Sequence, residues 1–161
     1  MRLVLRAGSH REVADGALEV AASPDTPRRE RWQWDIRVFE AATAPNGSQR
    51  KGVPVSANLG RGDGSASRIE VRADAELVRP EIQVRSVGTG FDVKRELQEV
   101  VAVIVGSGSA LAEGRHRLRE LDALILEGDD PYFLRMEPGP DFDATVAVIR
   151  LKGTGSIGWV P

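Results

Sequence analysis

The side chains best suited to acid–base or metal chemistry are scarce: two histidines, His10 and His116, and no cysteine in 161 residues. This count excludes disulfides, thiolate zinc sites, iron–sulfur clusters, a cysteine nucleophile and a three-histidine metal centre within one chain. His116 stands between Arg115 and Arg117, and His10 precedes Arg11-Glu12. Both read as solvated turn or edge residues. Carboxylates cluster twice, at Glu127, Asp129 and Asp130 and again at Asp141 and Asp143. Brought to one end of a fold they could hold a hard cation such as calcium. Their spacing matches no EF-hand loop, and aspartate favours turns because its side chain hydrogen-bonds the local backbone.

Other patterns bear on binding. Trp32 and Trp34, two apart and continued by Ile36 and Val38, form one face of a strand that is either core or the wall of a pocket. Arginine grips carboxylates bidentately, so Arg37, Arg85 and Arg95 are the candidate polar anchors of such a pocket. Gly106-Ser107-Gly108-Ser109 has no lysine after it and opens no helical pattern, so it reads as a hairpin turn and not a phosphate cradle. No Gly-x-Ser-x-Gly elbow accompanies Ser9, Ser56, Ser86 or Ser107. Arg61-Gly62-Asp63 lies in a glycine- and serine-rich loop and reads as chance.

The elements that must position these residues are strands. Trp32–Glu40, Ser67–Ala73 and Glu81–Val87 alternate apolar and polar residues with period two. Val100–Val105 is instead a continuous β-branched run, the pattern of a strand buried on both faces. Ala123–Leu126, Tyr132–Leu134 and Thr145–Leu151 complete the set, and Pro80 marks an edge or a break. Helical windows are short. Strands with turn signals every few residues predict an all-β sandwich or barrel. Ser23–Arg31 and Ala41–Lys51 read as loops. Gly60–Ser65, the most flexible-looking stretch, divides the chain into residues 1–59 and 65–161.

Composition sets outer limits. The chain is 41% hydrophobic and 29% charged with a net charge of −2, an ordinary globular balance with room for a real core. Residues 1–80 carry a net +2 and residues 81–161 a net −4, so neither half is a nucleic-acid footprint. No apolar run is long enough to span a membrane, and the first ten residues lack a signal-peptide core. The expected compartment is the cytoplasm.

Residues 99–134 resemble the cupin superfamily of jelly-roll barrels. Glu99 and Gly106 are spaced as the last two members of the first cupin motif. Gly114 opens a match to the second, with Glu120, Asp122, Ile125 and Asp129 at its Pro, Gly, His and Asn positions. The metal-binding His-x-His pair is replaced by Val93 and Arg95, or by Asp92 and Lys94, and Ile125 stands at the third histidine. Met1–Ala7, Gly16–Ala21, Trp34–Val38, Leu121–Leu126 and Val146–Leu151 are further similar to segments of the HutD/Ves family of small bicupins. That family's glycine-rich signature is replaced here by Val13-Ala14-Asp15-Gly16, and residues 40–65 are short for its first barrel.

The resemblance implies an all-β, cupin-like jelly roll spanning 1–161 as a single domain, with 1–59 supplying extra strands or a remnant first barrel and 65–161 the barrel core. It implies no metal and no other cofactor. Arg95, at a former ligand position, would need an anionic partner, either Glu99 or a bound ligand. We therefore expect a metal-free, HutD-like protein that binds a small anionic metabolite through Arg95, Glu99, Trp34, Arg37 and Arg85, with no catalytic residue assigned. Its role would be regulatory or accessory metabolic. The alternatives are a cofactor-free isomerase or epimerase, with Glu99 its one clear base, and a non-catalytic interaction barrel. A homodimer built through Val146–Leu151 or Trp32–Val38 is expected, with no nucleic-acid or membrane partner.

Overall fold

The computed structural model describes residues 3–13, 16–23, 33–40, 54–140 and 144–153. Trp32, Asp141, Asp143 and the segments 24–31 and 41–51, expected to be loops, lie outside them. Among the described residues, apart from a single 3-10 turn at Ala7–Ser9, the regular structure is all strand. In order these are β1 (Leu3–Leu5), β2 (Arg11–Glu12), β3 (Leu18–Ser23), β4 (Trp34–Glu40), β5 (Val55–Gly60), β6 (Ala66–Ala73), β7 (Val78–Ser86), β8 (Phe91–Lys94), β9 (Glu99–Ser107), β10 (Ala110–Ala112), β11 (His116–Leu118), β12 (Ala123–Leu126), β13 (Phe133–Pro138) and β14 (Thr145–Gly153).

They form three antiparallel sheets. The central sheet runs β1-β12-β9-β14-β7, the N-terminal sheet β2-β3-β4-β6-β5, and the C-terminal sheet β11-β10-β13-β8. The central sheet is shared by two cores. Val100, Ala102 and Ile104 on β9, with Ala123 and Ile125 on β12 and Ala147, Ile149 and Leu151 on β14, pack against Trp34, Ile36, Val38, Ile69 and Val71 of the N-terminal sheet. The alternate residues Val101, Val103, Val105, Leu124, Leu126, Val146 and Val148 pack against Phe91, Val93, Leu118, Leu134 and Met136 of the C-terminal sheet. A strand with partners on both faces has no polar side to present, which is why the 100–105 run lacks alternation. Both cores are filled with aliphatic and aromatic side chains.

Gly106 marks the closest approach of β9 to the N-terminal sheet. A Cβ there would sit 2.7 Å from the Gly60 carbonyl oxygen and collide with Leu59. The next glycine, Gly108, adopts φ +68. It lies in a turn that hands the chain from the central sheet to the C-terminal one, because β9 and β10 are not neighbours. The expected hairpin at 106–109 is therefore a sheet-to-sheet crossing. A true hairpin occurs at Arg61–Ser65, where the Arg61 N–H donates to the Ser65 carbonyl at 2.8 Å. Gly60–Ser65 thus joins two adjacent strands of one sheet. Pro80 sits inside β7, a terminal strand of the central sheet. The strands expected to form a dimer edge are interior: β14 lies between β9 and β7, and β4 between β3 and β6.

Candidate functional site

The outer face of the N-terminal sheet carries an unusual set of side chains. On β4, Trp34, Ile36 and Val38 point into the core, so Asp35, Arg37 and Phe39 point the other way. On β6, Ile69 and Val71 point inward and Arg68, Glu70 and Arg72 outward. Register then sets the charges side by side. Glu19, Arg37, Glu70 and Ser56 form one row across β3, β4, β6 and β5, and Asp35 faces Arg72 in the next usable row. A shift of register between Glu19 and Ala21 brings Glu19 opposite Arg37 and lets both Val20 and Ala21 meet the core.

An outward strand face normally lies in water. Here Asp35 and Arg37 are 1% exposed, Glu70 and Arg72 6% and Glu19 8%. Arg37 lies 3.6 Å from Asp35 and 3.8 Å from Glu19. Arg72 lies 3.3 Å from Glu70 and 3.6 Å from Asp35. The Nε of Arg72 makes no hydrogen bond among the described residues. Arg68 pairs with Glu70 at 2.6 Å and stacks over the ring of Phe39 at 5.5 Å. Arg11, more exposed, pairs with Glu19. The ion pairs of Arg72 are longer than a charge-assisted hydrogen bond of roughly 2.7–2.9 Å. Solvent reaches this face at β5, where Ser56 and Asn58 are exposed beside Glu70 and Arg68.

The other expected residues lie elsewhere. Trp34 is 2% exposed and belongs to the core between the N-terminal and central sheets, on the opposite face of β4 from Arg37. Arg95 is buried at the end of the C-terminal sheet. Its guanidinium donates to the carbonyls of Glu99 at 3.2 Å, Gly128 at 2.8 Å and Asp130 at 2.5 Å, and it stacks on Tyr132. It clamps the turn between β12 and β13 through backbone oxygens, and the Glu99 carboxylate is not its partner. That carboxylate accepts from the Glu96 N–H at 2.8 Å and from Arg150 at 3.1 Å. Glu99 borders a shallow cleft of about 380 Å³ with Arg79, Leu97 and Lys152. Arg85 is exposed on β7, over the ring of Phe91 at 3.8 Å. These five residues therefore form no single site.

The acidic turn is built by local hydrogen bonding: Asp130 Oδ2 accepts from the Glu127 N–H at 3.0 Å, and the Asp130 N–H donates to the Glu127 carbonyl at 2.9 Å. Burial, then the charge of Asp130, push the Glu127 carboxyl above its ordinary range. His10 Nε2 lies 2.6 Å from the Leu121 carbonyl oxygen. Val93 and Ile125, which the resemblance to cupin motifs sets at ligand positions, point into different cores on opposite sides of the central sheet. Among the described residues no group of three or more His, Asp or Glu is placed to hold a metal.

Three layers of antiparallel strand around two aliphatic cores can be compared with known proteins. No family model matches the chain, and no curated protein does. Solved structures do. The conserved protein of unknown function PA5104 from Pseudomonas aeruginosa PAO1 superposes with a TM-score of 0.68 at 13% identity, over 95% of this chain and 99% of that one. HutD from Pseudomonas fluorescens SBW25, solved in a formate condition, superposes with a TM-score of 0.62 at 13% identity, over 96% and 100%. The chain has the HutD fold. The superpositions cover nearly all of this chain, so the shared fold includes the N-terminal sheet. No helix among the described residues is long and apolar enough to cross a membrane.

Proposed function

We propose that this HutD-fold protein binds a small anionic metabolite, without a metal, on the charged outer face of its N-terminal sheet, in a regulatory or accessory metabolic role in the cytoplasm. Arg37 and Arg72 are the anchoring cations, and Arg68 with Phe39 forms the flank nearest β5. The observation that carries this reading is the burial of five charged side chains on one sheet face. Desolvating charges costs several kcal/mol per ion, and apolar side chains of similar volume serve stability equally well or better. Arg95, Glu99, Trp34 and Arg85 then serve to position and pack strands. We also take residues 1–161 as one folding unit, because the central sheet contributes to both cores.

A thermal-shift and calorimetric screen with formate and other small carboxylates tests the reading. A ligand at one hundred times its Kd stabilises by about 2.7 kcal/mol. The expected result is saturable stabilisation by at least one carboxylate, weakened at least tenfold in Arg72→Gln. No stabilisation by any of them overturns it.

The filled cores favour, as the second reading, a non-catalytic interaction protein. An isomerase has less support, since the carboxylate of Glu99 is already engaged by Arg150 and the Glu96 N–H.

A further inference from the structure

Among the described residues β7 has a neighbour on one side only. It pairs with β14 over nine consecutive residues without a register shift, so its outer edge is straight. Proteins blunt such edges with bulges, lysines or prolines. β7 has no bulge and no lysine, and its one proline, Pro80, lies in its first third. Beyond it, Gln83, Val84, Arg85 and Ser86 are all exposed in succession, with Val84 39% exposed. β7 thus ends the central sheet with an apolar residue exposed on it, and β5 of the N-terminal sheet packs near the strand without pairing with it.

We infer that the Glu81–Arg85 segment of β7 pairs antiparallel with the same segment of a second copy of this chain, about a two-fold axis through Gln83. The charge pattern selects that partner and that register. Centred on Gln83, Glu81 of each copy stands opposite Arg85 of the other, Gln83 opposite Gln83, and Ile82 opposite Val84. Opposite charges and aliphatic pairs directly across an antiparallel ladder are each favourable. Centring one residue earlier, on Ile82, would set Arg79 against Arg85, which is repulsive. Centring one later, on Val84, would leave Glu81 and Arg85 without charged partners across the seam, Glu81 keeping only its own-chain Lys152 at 3.4 Å. A two-fold interface needs a patch complementary to itself, and Glu81-x-x-x-Arg85 on one side of a strand meets that need. Arg85 is already held on that side by its stacking on Phe91. The pairing would join two five-stranded central sheets into one ten-stranded sheet across the dimer. A contact this small belongs to the weak class, below about 1,200 Å² of buried surface, so the dimer is concentration-dependent.

Sedimentation equilibrium of the full chain from micromolar to near-millimolar concentration tests this. The expected result is a monomer–dimer equilibrium in which Glu81→Arg weakens association by roughly tenfold or more, about 1.4 kcal/mol. The charge swap Glu81→Arg with Arg85→Glu should restore it, and Val84→Lys on the edge should abolish it. Each variant is checked for an unchanged circular dichroism spectrum. If Arg85→Glu proves unstable because it loses the Phe91 contact, amide exchange of residues 81–86 in the unaltered chain decides, with protection that rises with concentration expected. A monomer at every concentration overturns the inference. So does a dimer that Glu81→Arg and Val84→Lys leave unchanged, since its interface must then lie elsewhere.

Discussion

The two sheets that flank the central one turn polar residues outward, yet those residues live in different media. On the C-terminal sheet Asp92 and Arg135 pair at 3.3 Å with side chains 65% and 45% exposed. Such a pair adds little, because water solvates both partners whether or not they meet. On the N-terminal sheet Asp35, Arg37, Glu70 and Arg72 meet at comparable distances with almost no exposure. There each charge depends on its neighbours, and removing one strands another. Distance alone does not separate the two clusters. Exposure does, and it marks the N-terminal face as the place where the fold has accepted a cost.

The largest test of this contrast removes one cation from each face. Arg37→Met should destabilise by about 3–5 kcal/mol, since it removes a buried cation shared by Asp35 and Glu19 and leaves them only their pairs with Arg72 and Arg11. Arg135→Met should cost under about 1 kcal/mol. Urea unfolding measures both. Equal losses would mean the two faces do not differ as described. Pairing Arg37→Met with Asp35→Leu should recover part of the loss, because one of the two carboxylates that faced Arg37 is then gone.

A somewhat smaller effect asks whether the two sides fold together. Ile104 faces the N-terminal sheet and Val103 the C-terminal one. Ile104→Ala should cost about 2–5 kcal/mol and Val103→Ala somewhat less. Either should shift a single unfolding transition followed at once by tryptophan fluorescence and circular dichroism. Two separated transitions would show the cores to be independent and the chain not to be one folding unit.

The smallest effect is read against pH at two carboxylates of the central layer. At Glu127, burial and then Asp130 raise the pKa above the ordinary 4.5. The fold therefore favours the protonated acid, and its contribution is full below 4.5 and lost as pH rises through the raised value. Glu127→Gln should raise the melting temperature slightly at neutral pH and make no difference in acid. Asp122 behaves oppositely. Burial opposes its ionisation, but the N–H groups of Arg119 and Ala7 and the Arg6 guanidinium outweigh burial and hold its pKa below the ordinary 3.8. Its stabilising effect is present above 3.8 and lost as pH falls through the lowered value. Asp122→Asn should therefore destabilise at neutral pH and cease to matter in strong acid. Melting curves across pH 2–8 that failed to diverge in these directions would remove both assignments.

The strand content was legible because period-two alternation is a local property. Ala123–Leu126 coincides with β12, and the continuous 100–105 run announced a strand with no solvent face. The same parity already separated Trp34 from Arg37, since residues three apart on a strand point to opposite faces. Short strands such as β2, β10 and β11 gave no such signal, at two or three residues each. The apparent hairpin at 106–109 failed for a related reason. A glycine turn specifies a reversal, while the sheet that receives the next strand is chosen by distant partners.

The candidate site illustrates the remaining division. The sequence by itself determined that Asp35 and Arg37, and likewise Glu70 and Arg72, share one side of their strands, opposite an apolar side. It determined that the 161 residues hold no cysteine, and the resemblance to cupin motifs set Val93 or Asp92, Arg95 or Lys94, and Ile125 where those motifs carry histidines. Only the tertiary structure decided that the polar side of the N-terminal sheet is removed from water, and that Arg95 spends its guanidinium on backbone carbonyls. Alternation is fixed by the pleat of a single strand. Burial and pairing are fixed by segments far away in sequence, so a charged face looks the same in the sequence whether it meets solvent or is shut away from it.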